Sequence, residues 1–213
     1  MWINPAYSTE DHDGWAIVRA NPLATIVTGM PLSATHMPLI RDETGALVGH
    51  IPLVDPISEQ LRAGVEVLAI FRGPSSYISP SWYTEVGLPT YNYTVVHVRG
   101  TTVALDEAGL RAHMNALMQF HESTQKHGQC APWTPDDAAK DRLEMLLPKI
   151  AGFRIDEATI ESKRKLGQNR SEADARSVTT VLRKSGEQND HAIADLMKDV
   201  WHLGNGAPQG HRG

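Results

Sequence analysis

A single cysteine, Cys130, rules out an intramolecular disulfide and any cysteine-built metal cluster. It precedes Ala131-Pro132-Trp133 in a connection between helices and reads as a bystander thiol rather than a nucleophile. A reducing, cytoplasmic setting is expected. No apolar run is long enough to cross a bilayer, so no membrane association is expected. The first fifteen residues carry acids and lack the basic-then-apolar order of a signal peptide. A glycine-rich Rossmann turn and a phosphate loop are both missing. Ser79 sits in Ile78-Ser79-Pro80-Ser81-Trp82, which is not a nucleophile elbow, and this argues against a serine hydrolase. His121-Glu122 lacks the second histidine of a zinc-protease helix. No residue stands out as a catalytic acid or base, so the sequence leaves open whether the protein is an enzyme. A net charge of −5 argues against bulk attraction to nucleic acid, though it permits a local basic face.

Aromatic residues are concentrated in one place. Residues 71–93 hold four of the five tyrosines, Tyr77, Tyr83, Tyr91 and Tyr93, together with Trp82. Gly73, Pro74, Pro80, Gly87 and Pro89 are interspersed. Proline cannot donate to a ladder, so the segment reads as a strand ending near Phe71, a shaped loop, and a new strand opening near Tyr91. Such a loop can wall a flat ligand or simply close a small barrel.

The chain changes character near residue 105. Before it, short β-like runs dominate, at 23–28, 32–40, 46–51, 65–71 and 91–105. In the last run Tyr91, Tyr93, Val95 and His97 alternate with Asn92, Thr94, Val96 and Val98. An early helix follows Ser8 and Asp11, and a short one follows Asp55-Pro56. After residue 105 helices take over. Asp106 opens one, with Leu110, Met114, Leu117, Met118 and His121 on its stripe and Gly128 beyond its end. Thr134-Pro135-Asp136-Asp137 opens another. Residues 153–160 read as one late strand that can rejoin the N-terminal sheet. Ser171 and Asn189 cap two further helices. The expected organisation is one domain over 1–203, its helical part at 106–150 and 171–203, with a flexible tail at 204–213.

Three histidines, His36, His50 and His97, lie on predicted strands. No carboxylate stands at a spacing that would complete a site, so no metal is expected, and His113 reads as an ordinary helix residue. Lys163-Arg164-Lys165 runs into Leu166-Gly167-Gln168-Asn169-Arg170. This stretch is either a solvated connection or an anion site in which cations and neutral amide donors meet a phosphate. Arg176, Arg183 and Lys184 make the helix after Ser171 the best candidate for a DNA contact, against a reading as a surface helix.

Several of these stretches resemble the PaiB-like proteins, the group called FMN-binding negative transcriptional regulators, over roughly residues 4–196. Residues 77–83, Tyr-Ile-Ser-Pro-Ser-Trp-Tyr, carry the resemblance most specifically. Residues 21–25, 34–39, 49–51, 71–74, 89–93 and 165–170 support it. The resemblance implies a mainly β protein with helices (α+β), an FMN-binding split β-barrel with peripheral C-terminal helices. It also implies a homodimer with flavin at the subunit interface, since a small barrel fills its own interior. By the same resemblance the flavin ring is expected against His50, Ser79, Trp82, Asn92 and Tyr93. Lys165, Gln168 and Asn169 are expected at the anionic end.

The chain departs from the family pattern in several places. Tyr91 stands where a tryptophan is usual, and Gly167 where a serine is usual. Ile51-Pro52-Leu53-Val54-Asp55-Pro56 replaces a stretch that normally supplies a basic residue and an Asn-Pro pair. The loop at 83–89 is shorter. These changes imply weakened phosphate binding and a protein that purifies with FMN held weakly or absent. A small flavin-dependent oxidoreductase and a haem-binding split barrel are the alternative functions.

Overall fold

A computed structural model describes residues 1–124 and 131–203. The readings of Cys130, of Gly128 and of the tail at 204–213 lie outside the described residues. The chain forms two compact units, each assembled from several segments. One comprises residues 18–71 and 97–160, the other residues 1–17, 72–96 and 161–213. The first is called the sheet unit below, the second the helical unit.

The strands are β1 (Leu23–Thr28), β2 (Ser33–Pro38), β3 (Ile40–Arg41), β4 (Leu47–Pro52), β5 (Glu66–Ile78), β6 (Thr90–Ala104) and β7 (Ile150–Lys165). The helices are α1 (Asp11–Ala20), α2 (Ser58–Ala63), α3 (Glu107–Thr124), α4 (Asp137–Leu146), α5 (Glu172–Lys184) and α6 (Gln188–Val200). The seven strands form one sheet in the order β2-β1-β5-β6-β7-β4-β3.

Within the sheet unit, the late strand does rejoin the N-terminal sheet. β7 pairs antiparallel with β4, with Gly49 opposite Phe153 and His50 opposite Gly152. Period-2 alternation buries Ala24 and Ile26 of β1, Leu47 and Ile51 of β4, and Phe153 and Ile155 of β7. Gly49 is required by this packing. A Cβ there would collide with Leu39 Cδ2 and lie 3.2 Å from Phe153 Cζ.

Two expectations about strand ends are corrected. β5 does not stop near Phe71 but runs through Pro74 to Ile78. β1 pairs with β5 only through Ile70, so beyond that point β1 asks nothing of the missing proline N–H. The basic run at 163–165 is not a connection, because β7 carries it to Lys165. Its alternation buries Ser162, and an isolated bridge joins Lys163 to Ser8.

Helix starts follow local chemistry. Asp136, rather than Thr134, caps α4 by accepting from Ala139 N at 2.8 Å. Ser171 caps α5 by accepting from Asp174 N at 3.3 Å. The start of α6, expected at Asn189, comes at Gln188 with no side-chain cap. In the helical unit α5 and α6 pack together through Val178, Leu182, Ile193 and Met197, with Ile78 and Leu166 beneath them. Arg176 and Arg183 of α5 are paired with Glu172 and Asp195.

Candidate functional site

The helical unit holds an open cavity of about 490 Å³. Lys165, Asn169 and Arg170 give it charge and amide donors. Tyr7, Tyr83 and Asn92 form further walls, and Val86, Leu88 and Pro89 give it an apolar rim. Val86 and Leu88 are almost wholly exposed, so the rim is a raised apolar lip rather than packed core.

The loop at 83–88 is shaped by one carboxylate. Asp174, at the first turn of α5, is fully buried. Its Oδ1 accepts from Thr84 N at 2.7 Å, Thr84 Oγ1 at 2.8 Å and Glu85 N at 3.1 Å. Its Oδ2 takes the Arg170 guanidinium through Nε at 3.0 Å and Nη2 at 2.8 Å. Burial pushes the Asp174 carboxyl up. The hydrogen bonds from Thr84 and Glu85, with the Arg170 charge, outweigh that and hold it below the usual carboxylate range. Arg170 also donates from Nη2 to Val86 O at 3.2 Å, and its guanidinium lies 4.1 Å from the Tyr83 ring centroid. Burial pushes the Tyr83 hydroxyl up, with the Arg170 charge pulling the other way.

The eight residues expected at the site separate in space. Asn92, Lys165 and Asn169 meet at the cavity. Asn92 is buried and donates from Nδ2 to Met197 Sδ at 3.3 Å. Lys165 Nζ donates to Thr90 Oγ1. Gln168 turns inward instead. Its Oε1 accepts from Leu166 N at 2.7 Å and its Nε2 donates to Arg164 O at 2.6 Å, so its amide closes its own turn. That turn passes through Gly167 at φ +81°, a conformation that favours glycine.

Tyr93 lies on the face of β6 opposite Asn92, as alternation demands. Lys163 Nζ stands 5.6 Å from the Tyr93 ring centroid and 5.6 Å from that of Trp2. Ser79 caps the 3-10 turn Pro80–Trp82 and shares a 2.8 Å hydrogen bond with Ser81 Oγ. Trp82 packs on the α5–α6 core. His50 lies in the sheet unit, where its Nδ1 is 3.2 Å from His113 Nε2. His36 Nδ1 lies 3.0 Å from Thr25 Oγ1. Among the described residues no three His, Cys, Asp or Glu side chains stand together as a metal site.

Sequence reasoning gave no site role to Asp174, and it named Tyr83 only as part of the aromatic loop. The spacing of Arg170 and Asp174, four apart across a helix start, is the signal that was available for the first.

A family model described as "Putative FMN-binding domain" matches residues 1–158. The "Protease synthase and sporulation protein PAI 2" of Bacillus subtilis is 32% identical over 197 residues, covering 90% of this chain and 93% of its own length. Among solved structures, the FAD and haem binding protein from Mycobacterium smegmatis aligns with a TM-score of 0.57 at 15% identity, covering 82% of this chain and 80% of that one. The flavocytochrome Anf3 from Azotobacter vinelandii aligns at 0.53 with 17% identity, covering 73% and 67%. At these identities the structural likeness speaks to the fold, which is that of the flavin-binding split barrels. Among the described residues no helix is long and apolar enough to cross a membrane.

Proposed function

The chain belongs to the PaiB-like family of FMN-binding domains, and from that premise we propose that it is a flavin-binding homodimer whose cavity beside Lys165 receives the phosphate end of FMN. One observation carries the reading: two cations and two amide-bearing side chains, Lys165, Arg170, Asn92 and Asn169, converge on one open cavity with an apolar lip. A flavin nucleotide joins an apolar ring system to a dianion, and these walls match both ends. The donor set fits the group. Lys165 keeps hydrogens beyond the one it gives Thr90, and Asn169 is exposed beside it. Flavin, when bound, supplies electron-transfer chemistry of its own. The chain's part is to bind and orient it and to shield one side with the lip.

Support for the homodimer is the uncovered aromatic surface of the helical unit. Tyr77 and Tyr91 meet edge to face, their ring centroids 5.8 Å apart, yet remain 47% and 56% exposed. Aromatic side chains left this open are enriched at interfaces. Sedimentation at micromolar concentration is expected to give twice the 23.4 kDa chain mass, and a monomer would contradict the dimer. For the flavin, the experiment is fluorescence quenching of FMN by the wild type and by Lys165→Ala. Saturable quenching is expected in the wild type, weakened about tenfold or more in the variant. Equal binding by both would remove the phosphate from Lys165.

A further inference from the structure

We propose that Arg170, aimed by the buried carboxylate of Asp174, is the residue that makes this cavity select a phosphorylated flavin over the neutral one. The inference rests on the flavin reading above and assigns a role that the basic run by itself does not. Lys165 attracts the phosphate as a point charge but imposes no plane on its oxygens. Gln168, on the same turn, does not line the cavity, its amide being engaged with Leu166 N and Arg164 O.

Arg170 differs from both. Two of its five guanidinium hydrogens are committed, the Nε one to Asp174 Oδ2 and an Nη2 one to Val86 O, and Nη2 also stands 2.8 Å from Asp174 Oδ2 as an ion pair. Both hydrogens on Nη1 have no partner among the described residues, and Arg170 lines the cavity. The side chain is therefore held on one edge, by a carboxylate that cannot leave, while another edge stays open. A guanidinium fixed in this way presents a planar pair of donors at no further ordering cost, which suits the oxygens of a phosphate monoester. Asp174 is a positioning residue: it does not line the cavity, and it acts by setting the guanidinium and the loop at 83–86.

Gly87 provides an independent handle on the same geometry. A Cβ there would lie 2.8 Å from Arg170 Nη2 and 2.5 Å from Tyr83 Cδ2. Gly87→Ala therefore moves the guanidinium and the ring without deleting a charge, and its backbone is not one that demands glycine.

The test measures dissociation constants for FMN and for riboflavin with wild type, Arg170→Gln, Arg170→Lys and Gly87→Ala, each checked for fold by circular dichroism. The wild type is expected to prefer FMN, and Arg170→Gln and Gly87→Ala to lose about tenfold or more of that preference. The reading is the FMN-to-riboflavin ratio, since riboflavin meets the same walls but offers no phosphate to the guanidinium. Arg170→Lys is expected to fall between, keeping the charge but not the fork. Should Arg170→Gln fail to fold, Gly87→Ala carries the comparison. An unchanged FMN-to-riboflavin ratio in Gly87→Ala and in every folded Arg170 variant would overturn the role of Arg170 and leave the flavin reading standing. A wild type that binds neither flavin would overturn both.

Discussion

His50 Nδ1 lies 3.2 Å from His113 Nε2, joining β4 to α3 through two imidazoles. The rings are tilted by 56° with centroids 5.4 Å apart. Two nitrogens at that distance share one hydrogen, so the arrangement requires at least one lone pair in the contact. Burial pushes His50 down, and burial together with the neighbouring His50 ring pushes His113 down to about 4. His113 Nδ1 is buried without a partner, which adds to the cost of this corner of the fold.

The pair makes stability pH-dependent. The folded-state value of His113, about 4, lies below its ordinary 6.5, so below 6.5 the unfolded chain binds more protons than the folded one. Stability is therefore full above 6.5, falls as the pH drops, and levels off near 4. The loss attributable to His113 is about 3 kcal/mol. Urea unfolding between pH 7.5 and 4.5 should show the midpoint falling with pH, and His113→Leu should flatten that slope. An equal slope in the variant would move the effect elsewhere.

Removing the Asp174 carboxylate should cost more than a surface ion pair does. Asp174→Ala leaves Thr84 N, Glu85 N and one edge of Arg170 without an acceptor around a fully buried position. The expected destabilisation is about 3 kcal/mol. It is read as a lower urea midpoint, with proteolytic nicking appearing in the loop at 83–88. A variant within a few tenths of wild type would show that the loop holds itself.

Gly49→Ala tests the packing of β4 on β7. The added methyl meets Leu39 Cδ2 and Phe153 Cζ, both side chains of the core. Overpacking of this kind costs about 1–3 kcal/mol. A lowered melting temperature is expected, with no change in the FMN-to-riboflavin ratio, because the residue lies in the sheet unit.

Gly167→Ala probes the turn that ends the basic run. The nearest atoms to the new methyl are at ordinary contact distance, 3.9 Å from Arg170 Cγ and Asn92 Nδ2, so any cost comes from the backbone at φ +81°. About 1–2 kcal/mol is expected. A neutral result would mean that the turn relaxes without loss of Gln168's two backbone hydrogen bonds.

The sequence by itself determined the strands of the N-terminal half, the return of a late strand to them, the caps at Asp106 and Ser171, and the family. These are local or periodic properties. Alternation in 91–98 states which residues share a face, and Asp106 Oδ1 accepts from Gly109 N only three residues on. It also singled out Lys165, Asn92 and Asn169. What it could not decide was which of its polar groups remain available. Gln168 reads as a donor until its amide is seen bonded to its own turn. Arg170 reads as the end of a charge run until Asp174 and Val86 O take up one edge of it and leave the other open. His113 reads as an ordinary helix residue until α3 sets it against His50. Pro74 reads as a strand breaker until β1 is seen to stop pairing at Ile70. Each of these depends on a partner distant in sequence or on a neighbour's end. Only the folded chain specifies such a relation, because hydrogen-bond capacity is consumed by contacts that periodicity does not encode.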